Sequence, residues 1–479
     1  MDESLYGTPE YYHGVNLIAD PVHRYIPITY PMEGISEKTT ERDVIDSSWV
    51  QRLRRIHQLQ SAWWVFPGAE HSRFVHSLGV MHCATLFVKH LYRSLQISLQ
   101  AQGEECPSAP CVEETMRIAG LCHDLGHGPF GHFFDEQCLQ RYGITHEDLS
   151  QKIIVEELGD LITGLCRSPS GSFAPGESVV PEYVAFLIKK PTENADTEHM
   201  VPLWVRWLQP LFSGIFTVDN IDYTLRDAYM CGISPRLIDL ERLLFYSFFT
   251  ENGLTFHYSG LSSLEMFLKS RWYLYQNVYY HRTVRGIDLQ LADIFDKTIS
   301  HMMTRDPREN LDEYSRLTDY SVFETVARWT DDPDAEKRNL STLWAAVLRR
   351  DVAWKRVFEQ ELSYKDIDAG LRFVKPEEVE DTIRRLLPSE ASSWRFKVDM
   401  PIHDPKPVNP YIIQKERLKV YNPSTRIVEE KSVRDIFPHL PGSVAILRVY
   451  TKGGEHAREM NEGARRALAS FNQGYSTNV

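Results

Sequence analysis

The stretch LCHDLGHGPFGHFFDE, residues 121–136, decides how the rest of the chain is read. It gathers His123, Asp124, His127, His132 and Asp135 into one short segment. The run before it, ETMRIAGL (114–121), has helical spacing. A His and an Asp side by side at a helix end point in different directions, yet both can reach one ion. Imidazole with carboxylate suits a borderline or hard divalent cation, among Mn²⁺, Fe²⁺, Mg²⁺ and Zn²⁺. Two residues do not make a site, so further ligands must come from elsewhere. His76, in SRFVHSLGV (72–80), lies 47 residues upstream of His123 on another predicted helix. Asp219, in FTVDNIDYTLRDAYM (216–230), lies 95 residues beyond Asp124 and opens a third. Three helices converging on one ion are a common way to build a metal site in a bundle core. A His-Asp pair alone is weak evidence; HD-L-G-H-G with an upstream R-F-x-H-S is far more specific.

Outward from this stretch, residues 1–45 are rich in Pro, Tyr and Ile and predict short strands and turns. From Ser47 the pattern turns helical, and Thr145 is placed to cap the helix HEDLSQKIIVEELGDLITGL. Residues 167–200 alternate turn-rich segments with the apolar PEYVAFLI and predict a mobile insertion. A long helical block crowded with aromatics is expected from Leu261 to about Met303, and DDPDAEKR (331–338) reads as a charged, solvated turn. Beyond about Pro388, the segments WRFKVDM, QKERLKVYNP, TRIVEEK and SVAILRVYTK alternate as strands do. The expected fold is mainly α, a helical core followed by a smaller C-terminal α+β lobe. The expected divisions are 1–45, 46–330 and 331–479, the last a helical linker plus that lobe.

Composition narrows the function. The 479 residues carry a formal net charge of -13, which argues against a dedicated nucleic-acid surface but leaves room for a local basic pocket. Seven cysteines, an odd number with no CxxC pair, argue against a disulfide framework or a structural zinc site. The N-terminus lacks the basic and apolar regions of a signal peptide, and no apolar run reaches about 18 residues. The expected location is cytoplasmic, with no membrane partner.

These motifs resemble the HD-domain deoxynucleoside triphosphate (dNTP) triphosphohydrolases, in the branch that includes the vertebrate SAM-and-HD-domain enzyme and its bacterial relatives. The resemblance rests on VFPGAEHSRFVHSLGV (65–80), IAGLCHDLGHGPFGHFFDE (118–136), THED (145–148), VDNIDYTLRD (218–227) and R-x7-Y-Y-H-R (271–282), with ADPVHRYI and QRLRRIHQL matching as well. It covers most of the chain, without a preceding SAM domain, and makes the core an HD domain. It implies conversion of a dNTP and water to a deoxynucleoside and inorganic triphosphate. His76, His123, Asp124 and Asp219 would hold the metal. His127 would contact the α-phosphate, and His132, oriented by Asp135, would protonate the leaving 5′-oxygen. His146 would complete the phosphate site. Arg73, Tyr223, Asp227, Arg271 and Tyr279 would bind triphosphate and sugar, with Gln58 and Leu59 near the 3′-hydroxyl. Magnesium could arrive with the nucleotide.

The chemistry is consistent. A metal neutralises phosphoryl oxygens and activates water. A histidine with an ordinary pKa near 6.5 is a workable acid at neutral pH. Plainer readings stand beside these: His127 and His132 as turn caps around Gly-Pro-Phe-Gly, Tyr223 and Tyr279 as core aromatics, Arg271 as a surface cation. The chain also departs from the vertebrate pattern. Asn220 and Tyr275 replace a lysine and a histidine near the substrate. Asn16 replaces a lysine of the regulatory nucleotide site, whereas Asp46 and Arg54 keep its other positions. The resemblance further implies a homo-oligomer (dimer, tetramer or hexamer), an activating nucleotide, and a use in depleting dNTPs during phage infection. Two alternatives remain open: an HD phosphohydrolase acting on nucleoside monophosphates or oligonucleotides, and a nucleotide sensor without turnover.

Overall fold

Alternating residues in NLIADPVHRYIPIT close a hairpin. Strand β1 (Val15–Asp20) pairs antiparallel with β2 (Arg24–Thr29), from Val15 opposite Thr29 to Asp20 opposite Arg24. The Asp20 carboxylate accepts hydrogen bonds from the backbone N–H groups of Val22 and His23 at 2.9 and 2.8 Å, which shapes the turn and fixes His23 at its tip. This computed structural model describes residues 14–31, 39–189, 201–234, 237–363, 375–403, 417–440 and 444–474.

Helix α1 (Arg73–Ala101) and α2 (Ala109–Cys122) form the centre of the helical core. Every residue of α2 from Cys111 to Cys122 is buried, including Glu113, Glu114 and Arg117. A buried guanidinium persists only when paired. The Arg117 guanidinium donates to Glu41 Oε1 at 2.5 Å, Thr85 Oγ1 at 2.6 Å and Pro27 O at 2.7 Å, so it pins the hairpin to the helix pair. Helices α3 (His132–Gln137), α4 (His146–Glu156), α5 (Pro181–Ile188) and α6 (Val218–Met230) complete the surroundings of the site. Thr145 caps α4 in a reciprocal box with Asp148, and Thr217 caps α6 by accepting from Asn220 N–H.

Several expectations are corrected. The segment 167–189 is not a mobile insertion: α5 packs on α2 and α4, and Val184 and Leu187 are fully buried. PEYVAFLI is too apolar to remain outside a core. Residues 190–200 lie outside the described set. The block from Leu261 is several helices, interrupted by a π-turn at Tyr275–Tyr279. DDPDAEKR is a turn only in its first half, because Asp334 caps a helix over Ala335–Leu348.

The strands Arg417–Asn422 and Ile427–Ser432 were expected in the C-terminal lobe. Instead they extend a sheet with Gly253–His257 and Ser247–Thr250, the first pairing parallel to Gly253–His257. Alternation reveals a strand's faces, not its partner. The chain accordingly forms two compact units that interleave in sequence and do not meet at residue 330. One contains 14–270, 299–324 and 417–432; the other takes 271–298, 325–403 and 433–474. In the second unit, strands Trp354–Ser363 and Phe396–Asp399 flank Val444–Lys452 antiparallel. Val379, Ile383, Leu447, Val449, Met460 and Ala464 make its apolar core. Among the described residues no helix is long and apolar enough to cross a membrane.

Candidate metal centre and histidine cluster

His76 sits one turn into α1, His123 and Asp124 follow the last turn of α2, and Asp219 lies in the first turn of α6. The first unit brings all four together. Asp219 Oδ1 is 3.0 Å from His76 Nε2 and 3.7 Å from His123 Nε2. Asp124 Oδ1 is 3.2 Å from His123 Nε2, and its Oδ2 is 3.9 Å from His76 Nε2.

The nitrogens are prepared as donors to a cation. His123 Nδ1 is hydrogen-bonded to Gly120 O at 2.8 Å, while its buried Nε2 makes no hydrogen bond. His76 Nδ1 is bonded to Asp222 Oδ2 at 2.8 Å, which turns its Nε2 toward Asp219. A nitrogen held at Nδ1 by an acceptor keeps its Nε2 lone pair for a metal. Burial alone would raise the Asp124 carboxyl, but His123, Arg73 and His127 hold it well below the usual carboxylate range. One bare imidazole nitrogen on His123, the His76 Nε2 that faces Asp219, and two carboxylates fit a divalent cation, and the mixed donors do not select among Mn²⁺, Fe²⁺, Mg²⁺ and Zn²⁺.

Beside this centre lies a second cluster of His127, His132, Asp135 and His146. His127 is fully buried and stacks on His146, with ring centroids 3.7 Å apart. Burial, Arg73 and His146 drive the His127 pKa well below its ordinary value, so this ring is neutral near pH 7. His146 moves the other way: burial opposes protonation, but the Asp135 carboxylate outweighs it. Asp135 Oδ2 lies 2.5 Å from His146 Nδ1 and 3.6 Å from His132 Nδ1. The tight partner of Asp135 is therefore His146, where the sequence had suggested His132. The His132 side chain is 67% exposed, open to a ligand.

The loop between α2 and α3 is braced by residues that the motif does not advertise. Buried Arg52 donates to Leu125 O, to His127 O at 2.8 Å and to Leu317 O. Tyr314 Oη donates to Gly126 O at 2.6 Å, and Ser150 Oγ donates to His123 O at 2.7 Å. Phe130 adopts φ 64°, and its N–H donates to Asp319 Oδ1 at 2.7 Å. A non-glycine residue held at positive φ stores roughly 1–3 kcal/mol, and this carboxylate helps to offset that cost. Asp319 also accepts from His57 N–H and Nδ1. Its only sequence signal was an Asp far from the motif.

The remaining candidates divide. Arg73 is buried at the start of α1 and spends Nη1 on Asp124 Oδ2 at 2.6 Å, leaving Nε without a partner. Gln58 N–H donates to His71 O, and Arg73 N–H donates to Ile56 O, so Gln58 and Leu59 lie alongside the start of α1. Asp227 is buried on α6 against His71 Nε2 at 2.9 Å, and half-buried Tyr223 shares that helix. Arg271 and Tyr279 belong to the second unit, where Tyr279 packs edge-on against Tyr275. Asp46 and Arg54 are exposed; Asp46 pairs with Arg42, and Arg54 bonds Gln51 and covers the Phe74 ring.

The fold and the convergence of His76, His123, Asp124 and Asp219 make a candidate metal centre of the HD type. Residues 73–206 match the model of the HD domain. An uncharacterized Bacillus subtilis protein, YwfO, is 30% identical over 66% of this chain and 66% of its own. The Dictyostelium discoideum homolog of the deoxynucleoside triphosphate triphosphohydrolase SAMHD1 is 30% identical, over 62% of this chain and 53% of its own. The chicken (Gallus gallus) SAMHD1 enzyme is 31% identical, over 64% and 51%. The chain thus belongs to the HD-domain family that includes SAMHD1-type enzymes. It spans about half to two thirds of the length of these curated relatives. A crystal structure of a hypothetical protein from Aquifex aeolicus superposes with a TM-score of 0.65 at 24% identity, over 95% of this chain and all of that one, a likeness of fold.

Proposed function

We propose that this protein is a divalent-metal-dependent dNTP triphosphohydrolase that releases deoxynucleoside and inorganic triphosphate. The observation that carries the reading is the pairing of two sites. A donor set of two imidazoles, each anchored at Nδ1, and two carboxylates lies next to a separate histidine–carboxylate cluster able to manage protons. SAMHD1-type relatives supply the substrate class.

His76, His123, Asp124 and Asp219 would hold the cation, which when bound neutralises phosphoryl oxygens and activates water. The neutral His127 offers a hydrogen bond to the α-phosphate without adding charge. The alkoxide leaving from the 5′-carbon needs a proton, and exposed His132 delivers it while Asp135 stabilises the imidazolium. His146, whose protonated form the Asp135 carboxylate favours, faces the phosphates. Arg73, through its unpartnered Nε, serves the triphosphate; Tyr223, Asp227, Gln58 and Leu59 serve the sugar. On the same reading the protein works in the cytoplasm as a homo-oligomer. Exposed Asp46 and Arg54 take an activating nucleotide, and dNTP depletion against phage is the biological use.

The paired substitution His123→Ala, Asp124→Ala should remove bound metal, measured by elemental analysis, and reduce turnover by at least about 10³-fold. Turnover that survives metal loss would refute the assignment.

A further inference from the structure

A third buried cluster lies behind the metal centre, and the proposed chemistry does not use it. It consists of His23, Cys83, Asp222, Arg226 and Asp20. His23, Cys83 and Asp222 have the residue types of a metal site. Their hydrogen bonds exclude that use. Arg226 grips both oxygens of Asp222, Nε to Oδ2 at 2.8 Å and Nη2 to Oδ1 at 2.9 Å, so a guanidinium already fills the cation's place. Arg226 Nη1 goes on to Asp20 Oδ2 at 2.8 Å.

The remaining contacts of Asp222 run in two directions. Oδ2 accepts from His76 Nδ1 at 2.8 Å, and Oδ1 accepts from His23 Nε2 at 2.6 Å. Asp222 is fully buried and accepts from these four donor atoms. It follows Asp219 by three residues on α6, which puts a metal ligand and this carboxylate on one helix face. The fold keeps room for the pair: a Cβ at Gly79, one turn after His76 on α1, would fall 1.9 Å from Asp222 Oδ1 and 2.3 Å from Arg226 Nη2.

We infer that Asp222 is a positioning residue for the metal ligand His76, and that His23 at the tip of the β1–β2 hairpin holds Asp222 in place. Asp222 fixes the proton on His76 Nδ1 and the ring's rotation, so that Nε2 faces Asp219. His23, with Arg226 and Asp20, fixes Asp222. The N-terminal hairpin is thereby joined to the metal centre through two hydrogen bonds, and anything that moves its turn changes metal affinity. The inference rests on the metal site of the proposed function.

The test uses full-length protein stripped of metal by chelation and titrated with Mn²⁺, the free ion being read by electron paramagnetic resonance. Outer partners of ligating histidines typically contribute about 10–100-fold in affinity, so Asp222→Asn should weaken Mn²⁺ binding by that range. His23→Ala should weaken it by roughly 3–10-fold, and His23→Gln, which keeps an N–H donor, should recover most of the loss. At saturating Mn²⁺ the variants should lower kcat and leave KM for dNTP unchanged. If Asp222→Asn does not fold, the His23 pair decides. Folded His23→Ala protein with wild-type Mn²⁺ affinity overturns the inference. His123→Ala separates the two failures. If it abolishes Mn²⁺ binding while the His23 and Asp222 variants match wild type, only this inference falls. If the wild-type protein takes up no Mn²⁺, the metal site falls with it.

Discussion

At the scale of single residues, the site depends on where a few protons and charges sit. Arg52 is a buried cation whose donors go to the carbonyls of Leu125, His127 and Leu317. Arg52→Met would leave those carbonyls unpaired, so urea denaturation should show a loss on the order of 3 kcal/mol, with lower turnover as the His127 loop relaxes. An unchanged urea midpoint and rate would show that the loop stands without it. His82 makes a second case. Burial, with His23 beside it, lowers its pKa to about 4. A histidine depressed below its unfolded value of about 6.5 contributes stability that is fully present above that pH and is lost as pH falls toward 4. His82→Gln should therefore flatten the fall in stability between about pH 6.5 and 4, an effect of up to roughly 3 kcal/mol. Equal acid sensitivity in both proteins would contradict it. The convergence of His76, His123 and Asp124 was legible because HD-L-G-H-G and R-F-x-H-S are long motifs. Asp222, Arg52 and Asp319 were not, because they act through hydrogen bonds that form only after distant segments meet.

At the scale of elements, the caps were legible and the strand partners were not. Thr145 and Thr217 sit where local capping chemistry alone starts a helix. Nothing local to Arg417–Asn422 reveals that it pairs parallel with Gly253–His257, some 160 residues earlier. The apolar run of α5 was legible as apolar, and its surroundings misled. The contact between the α2–α3 loop and α4 gives a prediction at this scale. A Cβ at Gly126 would lie 1.9 Å from His146 O and 2.7 Å from Ser150 N. Gly126→Ala must push the start of α4 away and carry His146 with it. Turnover should fall by at least about 10-fold while Mn²⁺ still binds, because the displaced element is α4, which carries none of His76, His123, Asp124 and Asp219. Simultaneous loss of metal would show that the two clusters are one unit.

At the scale of the molecule, the two compact units respond differently to metal. The four proposed ligands all come from the first unit. Ligand binding to the native state stabilises it by about 2.7 kcal/mol at 100 times Kd. Hydrogen exchange should therefore slow in α1, α2 and α6 when Mn²⁺ is added, and remain unchanged in strands Trp354–Ser363 and Val444–Lys452. Equal protection of both units would contradict that division. The predominance of helix was legible in the sequence, but the interleaving of the units was not, since no composition shift marks the crossings near 270, 299 and 325.

The most direct test of the account is the product of the reaction. Purified protein with Mn²⁺ and an equal mixture of the four dNTPs, resolved by anion-exchange chromatography, should yield deoxynucleosides and inorganic triphosphate in equal amounts, with none from the His123→Ala, Asp124→Ala protein. Deoxynucleoside monophosphate with pyrophosphate, or no product from metal-loaded wild-type protein, would contradict it.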